Sequence, residues 1–243
     1  MRVVLLGTGG YFPNERRQTA CVLLPEIGVA FDAGTGMFRL PSRLETPDLD
    51  VFLSHAHLDH IAGLTVLLPP MLDGRLQRVR VIGAEQTLSA VRTHLFAEAI
   101  FPVEPAFDYV PLTPQIAVAD GMVTHAALNH PGGSVGYRLS WAGGSLAYVT
   151  DTTTLPSLAE FLRGVDLLIH ECYFPDDQAE FAELTGHSHT TPVARLARAA
   201  GVGRLVLMHV DPLSAKDDPI GLDVARSIFP PTELAYDLME LEV

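Results

Sequence analysis

The sequence predicts an α/β fold, an αββα sandwich in which two mixed β-sheets lie back to back with helices on the outer faces. Three observations point there. Apolar runs of strand length recur along the chain, separated by Gly, Pro, Asn or Asp. Helical stretches alternate with them, so the sheets must pack against helices. The strands are also too many for one simple doubly wound sheet. With 243 residues the chain can bury one substantial core, and no linker divides it. Residues 1–243 are therefore expected to form a single domain.

Strands are expected at Val3–Leu6, Ala20–Leu24, Val29–Asp32, Val51–Ser54, Val79–Ile82 and Phe107–Val110. They continue at Met122–Ala127, Val135–Ser140, Leu146–Thr150, Leu167–His170 and Leu205–Met208. Helices are expected at Ile61–Leu68, Gln86–Glu98, Ser157–Arg163, Asp177–Leu184 and Pro192–Ala200. The last has the best-marked ends: Thr190 or Thr191 to cap it, Pro192 in its first turn and Gly201 to stop it.

Composition limits the function. The net charge of −13 argues against a general electrostatic grip on nucleic acid, which needs a basic face. No apolar run reaches the roughly 18 residues of a membrane span. The N-terminal segment reads as a first strand and not as a signal peptide, so the expected location is the cytoplasm. The two cysteines, Cys21 and Cys172, make no disulfide framework or zinc ribbon and are expected to be buried thiols.

The strongest chemical signal is Ser54-His55-Ala56-His57-Leu58-Asp59-His60, directly after the run Val51–Leu53. Imidazole nitrogen and carboxylate oxygen are ordinary zinc ligands. On an extended segment alternate residues point the same way, so His55 and His57 can converge on one ion while Asp59 and His60 turn toward another. Further candidates come after later strands: His130, Asp151 and His209. Strand ends are where a sheet scaffold presents a site. A lone histidine or aspartate there is usually only a polar turn; the joint arrangement is what raises these three.

This pattern, HxHxDH followed by His, Asp and His at strand ends, resembles the signature of the metallo-β-lactamase superfamily. The ribonuclease Z-like branch is the nearer match. Val4–Gly10 is similar to its opening strand and glycine turn, Leu167-Leu168-Ile169-His170-Glu171 to its "LLIHE" segment, and Gly186-His187-Ser188-His189-Thr190 to its "GHSST" loop. The resemblance spans nearly the whole chain. It implies two divalent metal ions, with zinc expected and manganese or iron able to occupy similar sites. By it, His55, His57 and His130 hold one ion, Asp59, His60 and His209 hold the other, and Asp151 bridges both. Two ions so placed can share a hydroxide and offset charge growing on a phosphoryl oxygen. The resemblance also implies that His187 donates the proton to the departing oxygen, with Asp59 orienting it. His189, two residues on, is the alternative donor.

The sequence departs from ribonuclease Z in one respect that bears on substrate. That family inserts a long tRNA-gripping arm between the motifs matched here by His130 and Asp151, and only 21 positions separate those two residues. Asp32-Ala33-Gly34-Thr35-Gly36 also lacks the acidic residue often found in the middle of that family motif. A compact phosphodiesterase acting on small or cyclic phosphodiesters is the leading expectation, similar to the armless cyclic-phosphate phosphodiesterase of the carbon–phosphorus lyase pathway. That relative's cysteine-rich structural zinc site has no counterpart in two cysteines. The alternatives are a ribonuclease Z-type endonuclease, a lactone or thioester hydrolase on the same metal core, and a binding protein with a retained metal site. The expected partner is a small-molecule phosphodiester, with nucleic acid disfavoured, no membrane, and a homodimer left open. The Gly7–Gly10 turn reads either as a structural turn or as a phosphate contact with Arg16 and Arg17 beside it.

Overall fold

Strand β1 (Arg2–Gly7) shows how the layers arise. Val3 and Leu5 face one apolar cluster, and Val4 and Leu6 face another. Alternate residues of a strand point to opposite faces, so a strand buried on both sides reads as an unbroken apolar run. β11 (Leu167–Glu171) and β12 (Arg204–Met208) repeat the pattern: Ile169, Val206 and Met208 point inward, while Leu168, Leu205 and Leu207 point outward. The structure, a computed structural model, describes residues 1–243.

The other strands are β2 (Cys21–Leu24), β3 (Val29–Phe31), β4 (Asp48–Phe52), β5 (Arg78–Gly83), β6 (Asp108–Pro111) and β7 (Ile116–Val118). Then come β8 (Gly121–Leu128), β9 (Ser134–Trp141), β10 (Gly144–Val149), β13 (Thr232–Leu234) and β14 (Met239–Glu242). They form two seven-stranded sheets, ordered β14-β1-β2-β3-β4-β5-β6 and β13-β12-β11-β10-β9-β8-β7. Both are mixed. The first turns parallel from β3 to β6, and the second is parallel from β10 to β13. The expected sandwich of two mixed sheets is present.

Between the sheets lies a core with an aromatic centre. Phe31 stacks on Tyr148 at 5.6 Å and on Tyr137 at 5.9 Å, and Phe52 meets Tyr137 edge-on at 5.3 Å. Two further apolar clusters cover the outer faces, one under the helical segments around Met37, Leu64 and Leu88, the other under those carrying Leu158, Val193 and Ala225. Cys21 and Cys172 are buried free thiols, as expected.

The helices are shorter than the sequence suggests. α1 (Leu58–Ile61) leads into a 3₁₀ segment over Ala62–Leu67 and then α2 (Leu68–Leu72), where one helix over Ile61–Leu68 was expected. Gly63 packs so tightly that a Cβ there would lie 2.1 Å from the Gly34 carbonyl oxygen. Pro69 and Pro70, which lack an N–H, can stand only in a first turn, so a new helix begins there. α3 (Glu85–Ala90) loosens into a wider turn over Val91–Leu95. α4 (Leu158–Phe161), α5 (Ala179–Thr185) and α6 (Thr190–Ala200) match the later expectations, and α7 (Leu222–Ile228) is additional. Gly201 ends α6 at φ 63°, as anticipated. The cap is different: His189 holds the N-cap position without a side-chain bond, and Asp176 accepts the Thr191 N–H at 2.8 Å. No helix is long and apolar enough to cross a membrane.

Candidate metal centre

Seven sequence-predicted residues meet at one end of the sandwich. β4 delivers His55 and His57 on an extended stretch, and α1 follows at once with Asp59 and His60. His130 stands two residues beyond β8, Asp151 two beyond β10, and His209 directly after β12. Asp151 and His209 have φ of 34° and 57°, in the left-handed region that non-glycine residues seldom adopt. Asp32, one residue past β3, joins them at 56°. Such strain gathers where a site over-determines the backbone.

The donor atoms form two groups around Asp151. His55, His57, His130 and Asp151 make one, and Asp59, His60, His209 and Asp151 the other, with the atoms of each group within 4.8 Å of one another. Asp151 Oδ2 lies 3.6 Å from His55 Nε2 and 3.6 Å from His130 Nε2. Its Oδ1 lies 3.2 Å from both His60 Nε2 and His209 Nε2. One carboxylate thus faces both groups with a different oxygen.

The tautomers follow from the neighbours. His130 Nδ1 donates to the Gly186 carbonyl at 2.9 Å, which leaves Nε2 with its lone pair. His60 Nδ1 donates to Asp32 Oδ2 at 2.7 Å. The Ser54 hydroxyl spends its proton on Asp32, so it accepts from His55 Nδ1 at 3.0 Å. His55 Nε2 then carries a bare lone pair, and it is buried without a hydrogen-bond partner. Such outer contacts fix imidazoles as ligands. His60 Nε2 and His209 Nε2 face each other at 3.1 Å. Two ring nitrogens and two carboxylates so close need a cation among them, and the donor set fits a divalent one.

The electrostatics agree. Burial and the neighbouring imidazoles push His55 down to about 2, so it is neutral. Burial opposes charge on Asp59 and Asp151, but the surrounding histidines hold both well below the usual carboxylate range. Burial likewise opposes a charged His60, and Asp151, Asp32 and Asp59 overcome it.

His187 completes the site. Its Nδ1 lies 3.1 Å from the fully buried Glu171 Oε1. Its ring is stacked on Tyr173 at 4.5 Å. Burial disfavours its charge, yet Glu171 prevails and raises the imidazole to about 9. The partner that orients His187 is Glu171, where Asp59 was expected; Asp59 is engaged with the Tyr11 N–H at 2.8 Å and with His209. His187 lines a cavity of about 320 Å³ together with His57, Asp59, His130, Asp151 and His209. His189 does not line it and is bonded to Asp176 at 2.7 Å. Arg16 pairs with Asp217, and Arg17 donates to Thr8 Oγ1 and the Ala235 carbonyl, so neither arginine stands among the residues that line the cavity.

Sequence reasoning missed Asp32 and Ser54 as supports of the histidines, and Tyr11 and Tyr173 as cavity walls. Glu171 entered only through the resemblance of Leu167–Glu171 to a family segment, without a role of its own. A signal existed for Asp32, an acidic residue at a strand end before a glycine-rich turn, but its partners come from β4, α1 and β10.

The likeness to known proteins identifies the family. A family model described as the beta-lactamase superfamily domain matches residues 29–210. Ribonuclease Z of Nostoc sp. is 30% identical, with 100% of this chain and 95% of that protein covered. The alignment runs over 309 positions against 243 residues here, so at least 66 positions of that relative have no counterpart. Among solved structures, the short form of human tRNase Z covers 100% of this chain and 99% of its own, at TM-score 0.78 and 22% identity. A diphosphatase of the PhnP family covers 100% and 98%, at TM-score 0.74 and 23% identity. These two likenesses speak to the fold. Matched over most of its length, the chain belongs to the metallo-β-lactamase superfamily of hydrolases.

Proposed function

We propose that this chain, acting as one unit over residues 1–243, is a dinuclear metal-dependent phosphodiesterase for small or cyclic phosphodiesters. The observation that carries the proposal is Asp151, whose two oxygens each face a separate group of imidazole donors. His55, His57 and His130 would hold one ion; Asp59, His60 and His209 the other; Asp151 would be shared. Imidazole and carboxylate donors fit zinc, and manganese or iron accept the same set. When bound, two such ions supply an activated water and offset negative charge on phosphoryl oxygens.

The chain's own residues do the rest. Glu171 holds His187 with Nδ1 engaged, so the other edge of the ring is free to give a proton to the departing oxygen. Asp32, through Ser54 and His60, keeps the ligand nitrogens aimed. The cavity lining contains no arginine or lysine.

Ribonuclease Z activity is the second reading, favoured by the 30% identity to the Nostoc protein over the full chain. Against it stand the net charge of −13 and the chain between His130 and Asp151, occupied by β9, β10 and their turns. Zinc- and manganese-reconstituted protein should hydrolyse bis(p-nitrophenyl) phosphate and leave lactones and thioesters intact. Turnover of a lactone or thioester without turnover of any phosphodiester would overturn the proposal.

A further inference from the structure

Two aromatic residues line the cavity beside the metal-binding groups, Tyr11 and Tyr173. They are held in different ways. Tyr173 is buried and stacked on His187, so its ring is a fixed wall. Tyr11 is 72% exposed, and the fold gains little from its ring. Its backbone, however, is tightly constrained. The φ is 58°, an unfavourable value for a residue with a Cβ. The Tyr11 N–H donates to Asp59 Oδ2 at 2.8 Å, which ties the loop to the metal-binding residues. Gly10 before it allows that approach, since a Cβ there would come within 2.8 Å of the His209 ring. Phe12 meets the Tyr11 ring edge-on at 5.7 Å.

A strained, anchored backbone that presents an exposed aromatic ring at a cavity mouth is what stacking on a planar ligand group requires. Stacking is indifferent to charge, and it supplies affinity where the cavity offers no arginine or lysine to hold the rest of the substrate. We infer that Tyr11 is a specificity-determining stacking residue, and that the preferred phosphodiesters carry a nucleobase or another flat aromatic ring.

The inference rests on the phosphodiesterase reading, and its test must be separable from that reading. Hydrolysis by wild type of a cyclic phosphodiester that carries no aromatic ring reports on the reading alone. Calorimetric binding of adenosine 5′-monophosphate and ribose 5-phosphate to the zinc-loaded chain reports on Tyr11, because both present a ribose 5-phosphate and only the nucleotide carries a base. Wild type should bind the nucleotide about tenfold more tightly, the size expected for one stacked base. Tyr11→Asn keeps a residue that tolerates the left-handed backbone and should bring the two affinities together by weakening the nucleotide alone. Tyr11→Trp should restore the preference. Equal wild-type affinities, a preference that survives Tyr11→Asn, or equal weakening of both ligands would overturn the inference.

Discussion

Asp32 accepts hydrogen bonds from the Ser54 N–H, the Ser54 hydroxyl, His60 Nδ1 and the Tyr148 hydroxyl, each within 2.8 Å. It therefore orients His60 directly and His55 through Ser54, without lying in either donor group. Removing such a support typically costs about 10–100-fold in metal affinity or activity. Asp32→Ala should lose metal to a chelator at correspondingly lower concentration, and Tyr148→Phe, which removes one donor of the four, should lose far less. Equal chelator sensitivity for wild type and Asp32→Ala would deny Asp32 that role. His187 is expected to behave oppositely. His187→Ala should keep its metal content and lose about 10²–10⁴-fold in turnover of substrates with alkyl leaving groups. The loss should be smaller for p-nitrophenyl esters, whose leaving group hardly needs a proton. A uniform loss across leaving groups would remove His187 from proton donation.

At the scale of elements, much of the fold was legible, and the exceptions have a common cause. Strands buried on both faces announce themselves as apolar runs, and every strand expected from the sequence is present. The strands missed, β7, β13 and β14, are all sheet edges. In β14 only Met239 and Leu241 are buried, between the exposed Glu240 and Glu242, and four alternating residues are too short a pattern to read. The metal-binding groups were legible because their donors follow buried strands or cluster in one motif. Glu171 and Asp32 were harder, since each acts on residues of other strands that only the folded chain brings near. The start of α6 was misread for the same reason: its cap comes from Asp176, fourteen residues before Thr190. Burial raises the Asp176 carboxyl, but its bonds to Thr191 and His189 prevail and lower it. A carboxyl lowered on folding stabilises above its unfolded value near about 4 and ceases to as pH falls below it. Asp176→Asn should thus lower the melting temperature at neutral pH, by the equivalent of about 1 kcal/mol for a lost cap. The gap should close on acidification; a gap that stays constant with pH would show that the Asp176 charge plays no part.

The molecule as a whole places its polar investment at one end, where buried Asp59, Asp151, His55, His60 and His209 crowd together. Such a cluster is tolerable when a bound cation completes it. Reconstituted and desalted protein should contain close to two metal equivalents per chain, and a firm value of one or less would rule out the dinuclear arrangement. Bound metal at about a thousand times its dissociation constant adds roughly 4 kcal/mol, worth about 10 °C in a chain of this size. Chelation should lower the melting temperature by that order, and an unchanged melting temperature would mean that the cluster does not depend on an ion.

The same scale decides the substrate. With a net charge of −13 and only β9, β10 and their turns between His130 and Asp151, the proposed phosphodiesterase would draw its binding energy from contacts near the candidate metal site. The direct measurement is kcat/KM for a cyclic nucleotide and bis(p-nitrophenyl) phosphate against precursor tRNA, each at low and moderate salt. A compact phosphodiesterase should favour the small substrates, with rates that change little as salt rises. Preferred cleavage of precursor tRNA at its 3′ trailer, falling steeply with salt, would contradict it and assign the chain to tRNA processing.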